Sequence, residues 1–398
     1  VGTRPAIEGG DPVRTSLLPF HRPWITEDDI AAVVASLRSG WLTSGPWNRR
    51  LEEALRAYLG RPVLPTSSCT AALSLALHLL DVRPGDEVLV PSFTFAATAN
   101  VVVHRGGIPV FVDVDARWGV VTAETLEAGR TSRTVGAIVV DYGGHPAPYD
   151  EIRAWAEQHG VWILEDAAHA LGSRYQQTRV GALGHPTAFS FYATKAITTG
   201  EGGALVWPDE TGLERARVLA LHGLSREAWR RYDAGGTPHY QVLEAGYKMN
   251  LPDPLAALGV SQLQREAEAR ARRAAIARQY REGLKDLPGL RWMEQAPWAE
   301  TNHHLFVVQL DMGRLRVDRD RFLEALRAEG IQASLHFLPL HQHPFYRPYY
   351  ERQGSPPLPA TEHLGRSVLS LPIFPEMQPR DVEDVIQAMD KLLRYYAR

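Results

Sequence analysis

Ala188-Phe189-Ser190-Phe191-Tyr192-Ala193-Thr194-Lys195-Ala196-Ile197-Thr198-Thr199-Gly200-Glu201-Gly202-Gly203-Ala204-Leu205-Val206 is the stretch on which the reading of this chain turns. An apolar, aromatic run leads into one lysine. Hydroxyl residues, three glycines and a second β-rich run follow, so the pattern predicts Lys195 on a tight loop between two short strands. The chain holds only four lysines, Lys195, Lys248, Lys285 and Lys391, and the last two fall on polar helical stretches expected to be exposed. An amine whose pKa is lowered by apolar or cationic surroundings attacks a carbonyl to form a Schiff base, which a permanently charged guanidinium cannot do. The plainer alternative is a solvated lysine in a glycine-rich loop, so its surroundings decide.

Upstream, Glu87–Pro91, Pro109–Val114, Val135–Val140 and Val161–Asp166 are short apolar runs separated by helical or loop stretches at 95–104, 122–128 and 149–159. This alternation predicts an α/β fold with a buried, mostly parallel central sheet flanked by helices. Ligands gather at the carboxyl ends of such strands. The residues found there are Ser92 to Phe95, Asp113 and Asp115, Asp141 to His145, and Asp166 to His169. Asp166 closes an apolar strand, so its carboxylate is expected to be buried and to need a cationic partner. An N-cap role is its simpler alternative. His169 follows three residues later, one helical turn on. Further upstream, Ser67-Ser68-Cys69-Thr70 precedes an Ala- and Leu-rich helix, whose free N–H groups and positive dipole end suit an anion.

Towards the N-terminus, Thr26 and Asp29 form a capping-box signature, and the helix they open carries Ile30, Val33, Val34 and Leu37 on one face and stops near Gly40. The turn from Trp41 to Pro46 is expected to expose its indole. Beyond Val206, residues 215–237, including Tyr232 to Thr237, read as a long polar loop. One long helix is predicted from about Pro254 through Arg281, with a domain boundary inside it, giving 1–260 and 261–398. The second part reads as a smaller α+β domain: a strand over 305–310, a helix over 318–329, a strand over 333–337 and a final helix over 379–396. His336, His341 and His343 lack acidic or cysteine partners at metal-like spacing, so no metal is expected.

The 398 residues carry a net charge of -3, and no basic stripe points to nucleic acid. A single cysteine, Cys69, excludes an internal disulfide framework and fits a reducing compartment. No apolar run is long enough to span a bilayer, and the first ten residues lack a leader pattern, so a cytoplasmic location is expected.

A reactive lysine, a buried aspartate at a strand end, a helix start for an anion and a stacking aromatic at Phe95 are together what pyridoxal 5'-phosphate requires. The order Ser68 to Leu73, Pro91 to Phe95, Glu165 to His169, Phe189 to Lys195 and Thr199 to Gly203 resembles the DegT/DnrJ family of nucleotide-sugar aminotransferases, which has the fold type I architecture. The resemblance runs from Ser39 to Pro372. The segments at 222–225, 246–251 and 335–341 are most similar to the branch acting on UDP-linked 4-keto sugars, the 4-amino-arabinose type.

The resemblance implies that Lys195 holds the cofactor covalently and shuttles a proton, and that Asp166 pairs with the pyridine nitrogen. His169 would lie beside the phenolic oxygen and Phe95 would stack on the ring. Cys69, Thr70, Ala71 and Ser190 would hold the phosphate, with Asn250 reaching the phosphate of a partner in a homodimer with shared active sites. Thr43 and His336 would contact the sugar. Glutamate is the implied amino donor, with no arginine assignable to its carboxylate. A cyclitol aminotransferase, a dehydratase of the aminohydroxybenzoate-synthase kind and a regulator that binds the cofactor without turnover stay open. A dinucleotide enzyme is disfavoured because no G-x-G-x-x-G follows the first strand.

Overall fold

The computed structural model describes residues 4–225, 239–352, 355 and 357–398. Helices α1 (Glu27–Arg38) and α2 (Pro46–Leu59) precede a run of alternating elements: β1 (Val63–Thr66), α3 (Cys69–Leu79), β2 (Glu87–Pro91), α4 (Ala96–His104), β3 (Ile108–Val112), α5 (Ala123–Gly129), β4 (Thr134–Val140), α6 (Tyr149–His159) and β5 (Trp162–Asp166). A short hairpin, β6 (Arg174–Tyr175) and β7 (Thr178–Arg179), leads to β8 (Thr187–Ser190), β9 (Gly203–Val206) and α7 (Glu210–Ala220). Next come α8 (Asp253–Gln264), α9 (Glu266–Leu284), β10 (Leu290–Trp292), β11 (Ala299–Glu300), β12 (Phe306–Leu310) and α10 (Arg319–Ala328). The chain closes with α11 (Arg347–Arg352), α12 (Pro359–Ser367), β13 (Val368–Leu371) and α13 (Pro379–Tyr396).

The central sheet has the order β1-β9-β8-β5-β4-β2-β3. Strands β3, β2, β4, β5 and β8 run parallel, whereas β9 is antiparallel to both β8 and β1. Strands β2, β4 and β5 are apolar along most of their length because helices cover both faces: Leu73, Val101 and Leu219 pack on one side, Leu126, Ile152 and Trp155 on the other. The expected mostly parallel α/β sheet is therefore present. Its parallel strands end on one side, which brings Asp141, Asp166 and Ser190 towards one region.

A second sheet, β10-β12-β13, is antiparallel and is covered by α10 and α13. Helix α13 buries Val382, Val385, Met389, Leu392 and Leu393, at roughly 1.5–3 kcal/mol for each large side chain removed from water. Leu18 from the N-terminal arm joins this core.

Several expectations are corrected. The long helix is two helices, broken at Arg265. Residues 215–220 are helical, and Tyr232 to Thr237 lie outside the described residues. Ala333 to Phe337 is not a strand: only Ser334 pairs, with Ser370 of β13, and the chain then leaves the sheet towards the site. On α1 the buried residues are Asp29 and Ser36, while Ile30 and Leu37 are 47% and 52% exposed. The polar face turns inward because the Asp29 carboxylate takes the Arg265 guanidinium at 2.7 Å, the Gln262 amide at 2.9 Å and the Thr26 N–H at 2.9 Å. Trp41 is partly covered and donates to the Ser44 carbonyl at 3.1 Å. Lys391 is buried, donating to Glu329 at 2.8 Å and to the Asp11 carbonyl at 2.6 Å. Glu329 also receives the N–H groups of Ala6 and Val13 at 2.8 and 3.0 Å, so one buried ion pair fastens the arm to the C-terminal core.

Candidate active site

Lys195 stands on the loop between β8 and β9, as its spacing predicts. The loop closes on itself: Phe191 N–H bonds the Gly202 carbonyl at 2.9 Å, Thr199 N–H bonds the Phe191 carbonyl at 2.9 Å, and Lys195 N–H bonds the Tyr192 carbonyl at 2.9 Å. Among the described residues the amine has no hydrogen-bond or ion-pair partner. Part of the side chain reaches solvent, yet enough protein surrounds it that desolvation prevails. Its pKa falls to about 8 against the opposing pull of Cys69 and Asp166.

Asp166, at the end of β5, is buried. Its Oδ2 accepts the Thr98 hydroxyl at 2.9 Å, and its Oδ1 accepts the Ala168 N–H at 3.2 Å and faces the Cys69 thiol at 3.9 Å. Desolvation raises its pKa against these bonds and the attraction of Lys195. The N-cap alternative survives only in the single bond to Ala168.

Helix α3 points its start at the same place. Ser68 caps it by accepting the Ala71 N–H at 3.0 Å, which leaves the N–H groups of Cys69 and Thr70 for an anion. Gly203 opens β9 against this helix start: a Cβ there would lie 2.5 Å from Cys69 N and 2.5 Å from the Phe189 carbonyl. Ser190 is nearly buried at the end of β8, its hydroxyl accepting the Tyr192 N–H at 3.3 Å.

His169 accepts the Gly143 N–H on Nδ1 at 3.2 Å, which assigns the proton of the neutral ring to Nε2. Its ring lies 4.5 Å from His304 and 5.8 Å from Phe337. Burial, helped by the charge of Lys195, pushes its pKa well below the ordinary value. His336 lies 3.0 Å from the Ser370 hydroxyl, and burial lowers it to about 4. Phe95, the N-cap residue of α4, is 63% exposed with its ring 6.1 Å from Phe337.

Thr43 is exposed on its turn, its carbonyl accepting the Asp253 N–H at 3.3 Å. Asn250 pairs with Thr66 of its own chain, and its amide donates to the Ser44 hydroxyl at 2.7 Å. The structure thus gathers Lys195, Asp166, Cys69, His169 and His336, sets Thr70, Ala71 and Ser190 at the helix start, and keeps Thr43 and Asn250 on the neighbouring loops that lead into α2 and α8.

Residues 23–390 match the DegT/DnrJ/EryC1/StrS aminotransferase family. The chain belongs to this family. The spore coat polysaccharide biosynthesis protein SpsC of Bacillus subtilis is 40% identical over 96% of this chain and 98% of that protein. The putative sugar aminotransferase Spr1654 from Streptococcus pneumoniae, in its PLP form, superposes with a TM-score of 0.88 at 29% identity, over 96% of this chain and 99% of that one. DesI, solved with its TDP-sugar product, gives a TM-score of 0.84 at 32% identity over 98% and 95%.

This DegT/DnrJ aminotransferase takes pyridoxal 5'-phosphate, and its residues fit that group. A poorly solvated amine of pKa about 8, a buried carboxylate that bonds no cation among the described residues and a helix start with open N–H groups supply complements to an aldehyde, a pyridinium and a phosphate. Reading the sequence missed Thr98, four residues after Thr94, and missed His304, whose ring packs on His169. Neither has a local motif; only the tertiary fold brings them in.

Proposed function

We propose that the protein moves an amino group from glutamate to the keto group of a nucleotide-linked sugar, as a homodimer with shared active sites in the cytoplasm. The observation that carries the reading is Lys195 beside Asp166 at the start of α3. The bound cofactor supplies an electron sink for the bond broken at Cα. Lys195, close to half unprotonated at pH 8, serves as the base that moves the Cα proton, a role of roughly 10²- to 10⁴-fold in rate. Asp166, ionised against a pyridinium, keeps that nitrogen protonated. His169 presents Nε2–H as a donor, Phe95 offers a ring face, and Cys69, Thr70, Ala71 and Ser190 hold the phosphate.

DesI, whose structure contains a TDP-sugar product, and Spr1654, a putative sugar aminotransferase, support a nucleotide-linked sugar. Within that class we favour a UDP-linked 4-keto sugar, on the segments at 222–225, 246–251 and 335–341, with Thr43 and His336 as sugar contacts. Exposed Ile30, Leu37, Leu42, Val242, Leu243 and Phe345 support a second copy, to whose phosphate Asn250 would contribute. Among the described residues no helix is long and apolar enough to cross a membrane.

The test loads the protein with pyridoxamine 5'-phosphate and offers UDP-, dTDP- and GDP-linked keto sugars, scoring aminated product by mass. Reaction with a free cyclitol ketone and with none of the nucleotide sugars would sink the assignment.

A further inference from the structure

A pocket next to the reactive amine is lined by His21, Trp24, Ala193, Lys195, Thr198 and Arg273. Arg273, on α9, is buried; its Nε donates to the Asn302 carbonyl at 3.0 Å, while its Nη2 is buried with no hydrogen-bond partner among the described residues. Glu266 attracts this guanidinium but does not bond it. Its carboxylate instead takes the Tyr58 hydroxyl at 2.7 Å and lies 3.5 Å from Arg270. Desolvation prevails over Glu266, and the Arg273 pKa falls to about 10. His21, on the N-terminal arm, also has a buried Nε2 with no partner among the described residues, and burial, together with Arg273 and Lys195, outweighs the backbone bond to Ala193 and keeps the ring neutral.

A buried guanidinium donor with no acceptor is costly, and a pocket lined by two side chains that each bury an unpartnered polar atom, with an amine in the same lining, suits an anionic guest. A guanidinium matches a planar carboxylate better than any other side chain does. In an α-amino acid the carboxylate is attached to the carbon whose proton must reach the base. A group that holds the carboxylate therefore belongs next to Lys195.

We propose that Arg273, assisted by His21, forms the subsite for the carboxylate of the amino-acid donor and of the 2-oxo acid it becomes. The proposal rests on the aminotransferase reading of Lys195 given above. A 4-keto pentose of the kind favoured above has no carboxylate, so the subsite serves one half-reaction and not the other.

The experiment compares wild type with R273M, R273K and H21F. Binding of 2-oxoglutarate to the cofactor-free protein is measured by calorimetry, with inorganic phosphate as competitor, and both half-reactions are followed in single turnovers. R273M is expected to weaken 2-oxoglutarate and raise the glutamate KM by roughly 10- to 100-fold, the scale of a lost charge-assisted pair, while sugar amination falls far less. R273K should recover part of the loss, and H21F should weaken 2-oxoglutarate by a smaller factor. H21F also keeps the test open if loss of the Asn302 contact unfolds the Arg273 variants. Unchanged 2-oxoglutarate affinity in the folded variants, an equal loss in the sugar half-reaction, or displacement of 2-oxoglutarate by equimolar phosphate would overturn the subsite. A wild type that transaminates nothing would instead overturn the function itself.

Discussion

Thr98 and Asp166 are joined through the Thr98 hydroxyl, which donates to Asp166 Oδ2 at 2.9 Å. Thr98 has one proton to give, so the 2.9 Å contact with Thr94 is a bond from Thr94 to Thr98, and two threonines polarise in series towards one carboxylate. Thr98→Val removes the donor and leaves the carboxylate less able to ionise. A hydrogen bond to a charged group is worth about 1.5–3 kcal/mol, so the single-turnover rate should fall roughly 10- to 100-fold. Thr98→Ser should restore most of it, and equal rates for Thr98→Val and wild type would refute the relay.

Asp166→Asn keeps the shape and removes the charge. The expected loss in the same assay is roughly 10²- to 10³-fold, the scale of deleting one preorganised electrostatic partner. A loss below tenfold would show that Asp166 does not act through its charge.

Uptake of pyridoxal 5'-phosphate by the cofactor-free protein needs the unprotonated Lys195 amine. With a pKa of about 8, the uptake rate should rise with pH and level off just above 8, whereas an ordinary lysine would still be gaining near pH 10. Stopped-flow absorbance reads the profile. Borohydride should fix the label on wild type and not on Lys195→Arg.

Acid should unfold the protein early. Burial lowers His21, His145, His303 and His336 to about 4, and holds His169 and His304 well below the ordinary imidazole value. The unfolded chain protonates these residues near pH 6.5, so stability present above that value is lost as pH falls from about 6.5 towards 4. Asp141 and Asp166, both raised by burial, oppose this but are fewer. The urea midpoint should drop clearly between pH 7.5 and pH 5; a flat profile would contradict the burial of these rings.

Lys391→Met strands Glu329 without its cation. Removing one partner of a buried pair costs about 3–5 kcal/mol, to be read from the denaturant midpoint with activity as a secondary readout. A change under 1 kcal/mol would mean that the arm is held by other contacts.

The lysine loop, the strand-end aspartate and the capped start of α3 were legible because each is a local pattern: a turn between β-rich runs, an acid closing an apolar run, hydroxyls before an Ala-rich helix. Burial set by distant partners was not. Lys391 sits on a polar-looking helix, yet its own face meets Glu329 from 62 residues away. Ile30 and Leu37 of α1 face outward, with Val33 and Val34 half-buried, because Arg265 and Gln262 claim Asp29. Arg273 looks like any arginine of an arginine-rich helix until the fold sets it beside Lys195. Residues 333–337 have strand composition, but His336 and Phe337 are drawn off the sheet to pack against His169.

Gly203 carries a wider consequence. The strand leaving the lysine loop and the helix awaiting the phosphate touch backbone to backbone at Gly203. The grips on opposite ends of the coenzyme are therefore geared together, and even a methyl group at 203 would wedge them apart. The span between anchor and cradle is set by the thickness of a bare main chain, and cofactor retention should be more sensitive to that one missing side chain than to the identity of any single hydroxyl nearby.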